Sequence, residues 1–193
     1  MKNSKKLYWI YKLRGLLMVP PILSALIIRW HEIEIDWLIW SIGGFIFLLG
    51  ILLRIWSQMH IHYRLKVPKK LTTTGPYAYT RNPIYIGNTL IVCSLVILME
   101  LFWLVPIVFL WCILIYSFVI RYEEITLLKR YGNAYKEYLR SVPRWLPKLS
   151  RFYSKKTENL QKDSSYTWFW PSIKAEIHCI IWLILPFIKE IFY

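Results

Sequence analysis

Long apolar stretches alternate with short charged segments along the chain. Four of the stretches approach the roughly 20 residues that a membrane-spanning helix needs, and they cover residues 13–30, 37–57, 84–99 and 101–120. The first contains Pro20 and Pro21, which predict a kink. The second contains Gly43, Gly44 and Gly50, which predict close approach of a neighbouring helix. Only Glu100 separates the last two, which predicts a tight helical hairpin with this residue at its tip. The pattern indicates an all-α integral membrane protein with about four to five transmembrane helices.

The chain continues beyond the fourth span with a different pattern. Between residues 121 and 142, apolar and aromatic residues recur at helical spacing among charged ones, which predicts an amphipathic helix at the membrane surface. Residues 150–165 are polar and read as a connection. The apolar segment of residues 168–193 contains Lys174, Glu176 and His178, so the sequence leaves open whether it crosses the membrane or lies in the interface.

The distribution of charge predicts how the chain is oriented in the membrane. The chain has 25 Lys and Arg against 11 Asp and Glu, a net charge of +14, and 56% of its residues are hydrophobic. Residues 31–36 hold three acids, whereas residues 58–81 are basic, so we expect the N-terminus and residues 58–81 and 121–165 to face the cytoplasm. Because each basic segment flanks a span, we expect anionic lipid and not nucleic acid as the partner of these charges. The oligomeric state stays open.

The cysteines and the N-terminus exclude several classes of protein. Cys93, Cys112 and Cys179 lie in apolar stretches without CxxC spacing or a nearby His pair, so we expect small core residues and no metal site. The prolines interrupt the first apolar run, and no small-residue cleavage site follows it, so a cleaved signal peptide is not expected.

The stretch "GPYAYTRNPIYIG", residues 75–87, predicts a polar helix start. Asn82 is a favourable N-cap residue and Pro83 suits the first helical turn, so the third span should begin here. Free N–H groups at a helix start, with Arg81 beside them, would bind a carboxylate or phosphate.

A pair of acids complements this helix start. The hairpin should return Glu123 and Glu124 to the membrane face that holds Arg81, and an arginine opposite a carboxylate matches a zwitterion. Several tyrosines could contact an aromatic base and a sulfonium cation: Tyr77, Tyr79, Tyr85, Tyr131 and Tyr135. Amino acid, purine and sulfonium together describe S-adenosylmethionine. The alternative is that the two acids form ordinary ion pairs with neighbours on their own helix: Arg121, Lys129 and Arg130.

The two motifs carry a family resemblance. "LTTTGPYAYTRNPIYIGN", followed by a hairpin and "RYEEITLLKRYGNAYKEYLRSVPRWLPKL", resembles the isoprenylcysteine carboxyl methyltransferase and phospholipid methyltransferase superfamily, especially its bacterial members, over residues 40–149. The resemblance implies an S-adenosylmethionine pocket capped by the amphipathic helix and open to the bilayer for a lipophilic acceptor. It also implies an inner (plasma) membrane enzyme whose active site faces the cytoplasm.

Residue by residue, the resemblance implies a cofactor site from both motifs: Tyr77, Arg81, Asn82, Pro83, Tyr85 and Gly87, then Glu123, Glu124, Tyr131, Gly132, Tyr135 and Tyr138, closed by Pro143, Arg144 and Pro147. Many members have His where this chain has Asn82, and an amide cannot act as a base. Residues 1–193 would form one membrane domain: N-terminal spans to residue 57, a cofactor-binding core over 58–149, and a connection with a hydrophobic helix over 150–193.

Methyl transfer needs mainly an aligned acceptor and the exclusion of water. Arg144 is a candidate to orient a carboxylate acceptor. His60 is a candidate to take a proton from an amine or to contact substrate. The simpler interpretation of His60 is an interfacial histidine that is hydrogen-bonded to a loop or to lipid. Acceptors of the isoprenylcysteine type and phospholipid amines both stay open. The sequence is also compatible with sterol-reductase-like binding of a nicotinamide dinucleotide and with non-catalytic lipid binding.

Overall fold

The structure, a computed structural model, describes residues 2–28, 36–61, 71–148 and 169–192. All regular secondary structure in these ranges is helical, which confirms the all-α fold. The helices are α1 Lys2–Lys12, α2 Val19–Ile27, α3 Asp36–Ile61, α4 Pro83–Leu98, α5 Val105–Tyr131, α6 Asn133–Ser141, α7 Phe169–Ile181 and α8 Ile184–Phe192, with short 3₁₀ helices at Leu16–Met18, Gly75–Ala78 and Phe102–Leu104.

The predicted first span is a bent pair of helices. Its two apolar arms, Lys5–Lys12 and Leu16–Ile27, meet at an angle of 69°. The helical structure begins at Lys2, earlier than the predicted residue 13, and the break precedes Pro20 and Pro21. The prediction of a kink at the prolines was therefore wrong. Both lie near the start of α2, where a missing N–H leaves no hydrogen bond unmade.

Close packing of α3 against α4 forms the centre of the fold. A Cβ atom on Gly50 would lie 3.0 Å from the carbonyl oxygen of Gly87, and one on Gly43 would lie 2.7 Å from the side chain of Leu98. These contacts confirm the prediction that glycines in the second span allow close helix approach. The prediction was wrong for Gly44, whose Cβ position has no neighbour within 4 Å.

The turn between α4 and α5 lies where the sequence predicted it, at Glu100, whose φ is 67°. The helix of the fourth span continues beyond residue 120 to Tyr131. The prediction of one separate amphipathic helix over residues 121–142 was therefore wrong, because its first half belongs to α5. The chain breaks at Gly132, with φ 54°, and only α6 is a separate surface helix, with Tyr135 and Tyr138 buried beneath it. Glycine tolerates this left-handed conformation without steric cost.

Length and composition identify the membrane-embedded helices. Trp37–Ile61, Phe102–Tyr131 and Phe169–Ile191 are long and apolar enough to cross a bilayer, and the bent pair makes a fourth if it counts as one span. The C-terminal segment, which the sequence left open, thus has the length and apolarity of a span. With 16 residues, α4 is shorter, and most of its side chains are buried among the neighbouring helices. The chain is an integral membrane protein.

Some sequence predictions fall on parts of the chain that the structure does not describe. The connection over residues 150–165, the basic residues 64–70 and nearly all of the acidic loop at 31–36 lie outside the described residues. The three cysteines lie within them; all are free and buried, as expected for small core residues.

Candidate functional site

The first motif forms a compact turn against the end of α3. Gly75 has φ 58°, and a Cβ atom there would overlap the ring of His60. The same ring approaches the Thr74 hydroxyl, with 3.2 Å between Nδ1 and Oγ1. His60 therefore packs against the turn that carries Tyr77, and only a glycine fits between them.

The chain after α6 lies along the start of α4. The backbone N–H of Arg81 donates to Pro143 (2.9 Å), and that of Lys148 donates to Tyr79 (2.9 Å). The Asn82 amide donates to the carbonyl oxygen of Arg144 (3.1 Å). Asn82 precedes α4 as predicted, but its side chain makes no capping hydrogen bond to the helix, so this part of the prediction was wrong. Its amide instead forms a hydrogen bond between the first and the second motif.

This contact brings three charged side chains together. Glu124 accepts a hydrogen bond from Arg81 Nη1 at 2.7 Å and from Arg144 Nη2 at 2.5 Å, with Arg144 Nε at 3.2 Å. Charge-assisted bonds of this length are the strong class of protein hydrogen bonds. The partners of Glu124 thus come from the two sequence motifs and not from its own helix.

Glu123 has a different partner. The Tyr85 hydroxyl donates to Glu123 Oε1 at 2.6 Å, and the Tyr85 ring lies 4.9 Å from that of Tyr116. Arg14 also acts electrostatically on Glu123, whereas Glu124 is shared by two guanidinium groups. One site therefore combines two arginines that share one carboxylate with a second carboxylate, Glu123, whose hydrogen bond comes from a neutral phenol.

Tyrosines from the turn and from α6 close one side of this cluster. Tyr138 donates a 2.8 Å hydrogen bond to the carbonyl oxygen of Tyr77, and its ring lies 6.0 Å from that of Tyr135. Tyr131, at the end of α5, packs against the cluster that these two tyrosines form with Val142. These contacts place α6 over the first motif, in the position that the family resemblance predicted for a cap.

Two buried polar atoms of the first motif make no hydrogen bond of good geometry within the described structure: Arg81 Nε and the Tyr77 hydroxyl, which lies beside the hydroxyl of Ser57. Burial raises the pKa of the Tyr77 hydroxyl well above its ordinary value, and Tyr138 and Glu123 act in the same direction. Burial likewise raises the pKa of Tyr135. These hydroxyls stay protonated at neutral pH and can donate hydrogen bonds. Buried polar groups normally have partners, so the unpartnered Arg81 Nε points to a polar ligand.

The remaining predicted residues have packing positions. Pro83 is buried in the first turn of α4. A Cβ atom on Gly87 would lie 2.7 Å from Arg54 Cγ and 2.9 Å from the Gly50 carbonyl oxygen, so this glycine allows α3 to approach α4. In the described parts of the chain, no group of three or more His, Cys, Asp or Glu residues could hold a metal ion.

Sequence reasoning missed two groups of residues beside the site. The Thr80 hydroxyl lies 3.2 Å from the carbonyl oxygens of both Arg144 and Trp145, and so adds to the contact between the motifs. Arg54 and Ser57 lie on the face of α3 that packs against Gly87 and the turn. The signal for Arg54 was present, because an arginine inside an apolar span is rare without a function.

One protein family and two known proteins resemble this chain. The family described as "Phospholipid methyltransferase" matches residues 38–134. The nickel-cobalt-cadmium resistance protein NccN of Alcaligenes xylosoxydans xylosoxydans is 32% identical over 72% of this chain and 66% of its own length. The cobalt-zinc-cadmium resistance protein CzcN of Cupriavidus metallidurans is 29% identical over 67% of this chain.

The chain spans less than two thirds of the length of these relatives, 66% of the first and 58% of the second. No solved structure matches it. The matched family region begins in α3, includes all of α4 and α5, and ends at the start of α6, so it contains the turn, Arg81 and both glutamates. The chain therefore belongs to the phospholipid methyltransferase family.

Proposed function

We propose that the protein is a membrane methyltransferase that uses S-adenosylmethionine and transfers its methyl group to a small lipophilic or lipid acceptor. The observation that carries this proposal is the arrangement of charge. Arg81 and Arg144 share the single carboxylate of Glu124, while Glu123 is bonded to a neutral hydroxyl. The arginines would bind the carboxylate of the cofactor's amino-acid part, and Glu123 would bind its ammonium group.

The residues present fit this cofactor. Arg81 Nε and the Tyr77 hydroxyl would serve as additional hydrogen-bond donors, and tyrosine rings are suitable surfaces for an aromatic base and for a sulfonium. When bound, the cofactor supplies a methyl group activated by its positively charged sulfur. Glu124 orients the two arginines, and α6 excludes water from the site. The cofactor residues are those of the two motifs: Tyr77, Arg81, Asn82, Pro83, Tyr85, Gly87, Glu123, Glu124, Tyr131 and Tyr135.

The acceptor would enter from the membrane. Arg144 is the less buried partner of Glu124, with 30% of its side chain exposed, so it can turn toward an acidic acceptor. His60 touches the first motif at Thr74 and Gly75, where it could contact substrate or take a proton. An acceptor of the isoprenylcysteine type would use Arg144, and a phospholipid amine would need a base such as His60.

The setting of the enzyme is part of the proposal. The excess of Lys and Arg between the spans supports a site at the cytoplasmic face of a bacterial inner membrane. We treat residues 1–193 as one membrane domain, because α7 packs on α3 and α8 packs on α2 and α4. Both relatives are named for metal resistance, so the growth of a deletion strain in cobalt or cadmium is the first physiological assay.

Calorimetric titration of S-adenosylmethionine into purified protein in detergent tests the proposal. Loss of the charged hydrogen bond in Glu123→Gln should cost about 1.5–3 kcal/mol, roughly a ten- to hundredfold loss of affinity. Glu137→Gln is the matched control, because Glu137 is exposed on α6. A nicotinamide dinucleotide serves as the control ligand. Equal affinity of both variants for S-adenosylmethionine would refute the site, and binding of the dinucleotide alone would favour a reductase-like protein.

A further inference from the structure

A buried ion pair joins the C-terminal helix α7 to α3. Arg54 of α3 donates two hydrogen bonds to the carboxylate of Glu176 in α7, from Nε to Oε2 at 2.6 Å and from Nη2 to Oε1 at 3.1 Å. The Cys179 thiol lies 3.4 Å from the same Oε2 atom. The Glu176 side chain is 2% exposed and that of Arg54 is 13% exposed. The two charges therefore cancel each other inside the protein, shielded from water.

Arg54 lies directly beside the first motif of the proposed cofactor site. Its side chain passes over α4 at Gly87, where a Cβ atom would lie 2.7 Å from Arg54 Cγ. Ser57 follows Arg54 by three residues on the same face of α3, and its hydroxyl lies beside that of Tyr77. The guanidinium also acts electrostatically on Tyr77 and on Tyr116. A charge at Arg54 is thus close enough to act on a ligand bound among these tyrosines.

Stability alone does not account for this pair. Apolar residues of similar size commonly hold two helices together at least as well as a buried ion pair does. Charged residues inside membrane spans usually mark a functional site. Arg54 lies within the matched family region of residues 38–134, whereas Glu176 lies outside it. Without the carboxylate from α7, a desolvated positive charge would remain next to the proposed site.

The charge of the proposed cofactor makes such a neighbour important. S-adenosylmethionine has a carboxylate, an ammonium and a sulfonium group, so it carries a net positive charge. When its methyl group bonds to the acceptor, the electrons of the broken carbon–sulfur bond stay on the sulfur, and the product S-adenosylhomocysteine has no net charge. A unit charge about 10 Å from the ligand, at an effective dielectric constant of about 20, changes the binding constant of a singly charged ligand roughly tenfold.

We propose that Glu176 is a specificity residue that neutralises Arg54 and thereby allows the site to bind a cationic cofactor. The carboxylate stays paired with Arg54 and acts on the ligand only through the charge that it cancels. The inference rests on the proposed methyltransferase function. It gives the C-terminal helix α7, which lies outside the matched family region, a part in cofactor selection.

The test compares two ligands that differ by one methyl group and one charge, S-adenosylmethionine and S-adenosylhomocysteine. Calorimetry of purified protein in an uncharged detergent gives the ratio of their affinities. Glu176→Gln leaves the Arg54 charge unbalanced, so the affinity for S-adenosylmethionine should fall roughly tenfold relative to that for S-adenosylhomocysteine. The double variant Arg54→Gln/Glu176→Gln has neither charge and should restore the ratio of the wild type. Arg54→Gln keeps only the carboxylate, so its ratio should equal or exceed that of the wild type.

The matched control is Glu190→Gln, which removes an exposed acid from the same C-terminal segment. Its neighbour Lys189 donates to the carbonyl oxygen of Met99, at the end of α4 opposite to Arg81, so the control should bind both ligands as the wild type does. If Glu176→Gln does not fold, Arg54→Lys/Glu176→Gln replaces it, because lysine keeps the positive charge on a more flexible side chain. Its ratio should fall in the same way.

A purely structural role of the pair would weaken both ligands alike and would leave the ratio unchanged in Glu176→Gln. The proposal is overturned by that result, by a ratio in the double variant as low as in Glu176→Gln, or by a lowered ratio in Arg54→Gln. If the wild type binds both ligands but the ratio is the same in every variant, only the inference on Glu176 fails and the methyltransferase proposal stands. If the wild type binds neither ligand, the methyltransferase proposal fails and this inference fails with it.

Discussion

Replacing Gly50 with alanine places a methyl group in a close contact between α3 and α4. The new Cβ atom would lie 2.8 Å from Ile91 Cγ1, 3.0 Å from the Gly87 carbonyl oxygen and 3.2 Å from the Ile91 backbone nitrogen. Two of these three atoms belong to the backbone of α4 and cannot rotate away. The helices must therefore separate by a few tenths of an ångström to restore ordinary contact distances.

The expected loss of folding stability is obtained by comparison with Gly44→Ala. Both glycines lie in α3, so alanine brings the same gain in helix propensity, about 1 kcal/mol, at either position. Gly44 has no neighbour within 4 Å of its Cβ position. The difference between the two variants is therefore the cost of overpacking alone, about 1–3 kcal/mol. Gly50→Ala should be less stable than Gly44→Ala by this amount.

Thermal unfolding in one detergent, followed by tryptophan fluorescence, measures this difference in Tm. The affinity for S-adenosylmethionine should fall in Gly50→Ala as well, because the displaced α4 carries Arg81 at its start. Equal Tm values for the two variants would refute the close packing of α3 on α4. A lower Tm with unchanged affinity would support the close packing and show that cofactor binding does not depend on it.

Three further changes test the site itself. Glu124→Gln removes the shared carboxylate, so its two arginines should repel each other. The cofactor affinity measured by calorimetry should fall by at least tenfold. Unchanged affinity would contradict the role of this ion pair. Tyr138→Phe removes the bond to the Tyr77 carbonyl and should lower stability by about 1 kcal/mol. Burial raises the pKa of Tyr138 above that of a tyrosine in the unfolded chain. Its hydroxyl therefore stabilises the fold below about pH 10, and this contribution falls as the pH rises further. Between roughly pH 9 and 11, the Tm of the wild type should fall more than that of Tyr138→Phe. Gly75→Ala, which forces a methyl group against the His60 ring, should reduce both Tm and cofactor affinity, and a wild-type-like variant would contradict the turn's geometry.

Local pattern predicted the membrane class and most helix positions, and it failed where helix ends depend on more than apolar length. Residue 120 marks the end of the apolar run, yet α5 continues to Tyr131 because no residue before Gly132 breaks it. The bend near Gly15 is a second example: the prolines suggested a kink at their own position, but they lie inside the helix that follows it. Hydropathy detects the membrane boundary, while backbone geometry determines where a helix ends.

The sequence predicted which residues form the site, but it did not predict which of them pair with each other. The motifs named Arg81, Glu123, Glu124 and Arg144 as site residues, and the structure brings them together. Which carboxylate binds the arginines and which binds Tyr85 depends on the rotation of α5 relative to α4. Spacing along one chain does not contain that rotation. The Asn82 contact with Arg144 likewise joins residues 62 positions apart.

The sequence by itself determined the apolar spans and the polar residues at a helix start, because these depend on neighbours within a few turns of the chain. Tertiary structure decided the distribution of charge in the site and the pairing of Arg54 with Glu176, 122 residues apart. A charged group in an apolar span must find a partner to offset its desolvation. Packing of the helices alone determines which partner lies within reach.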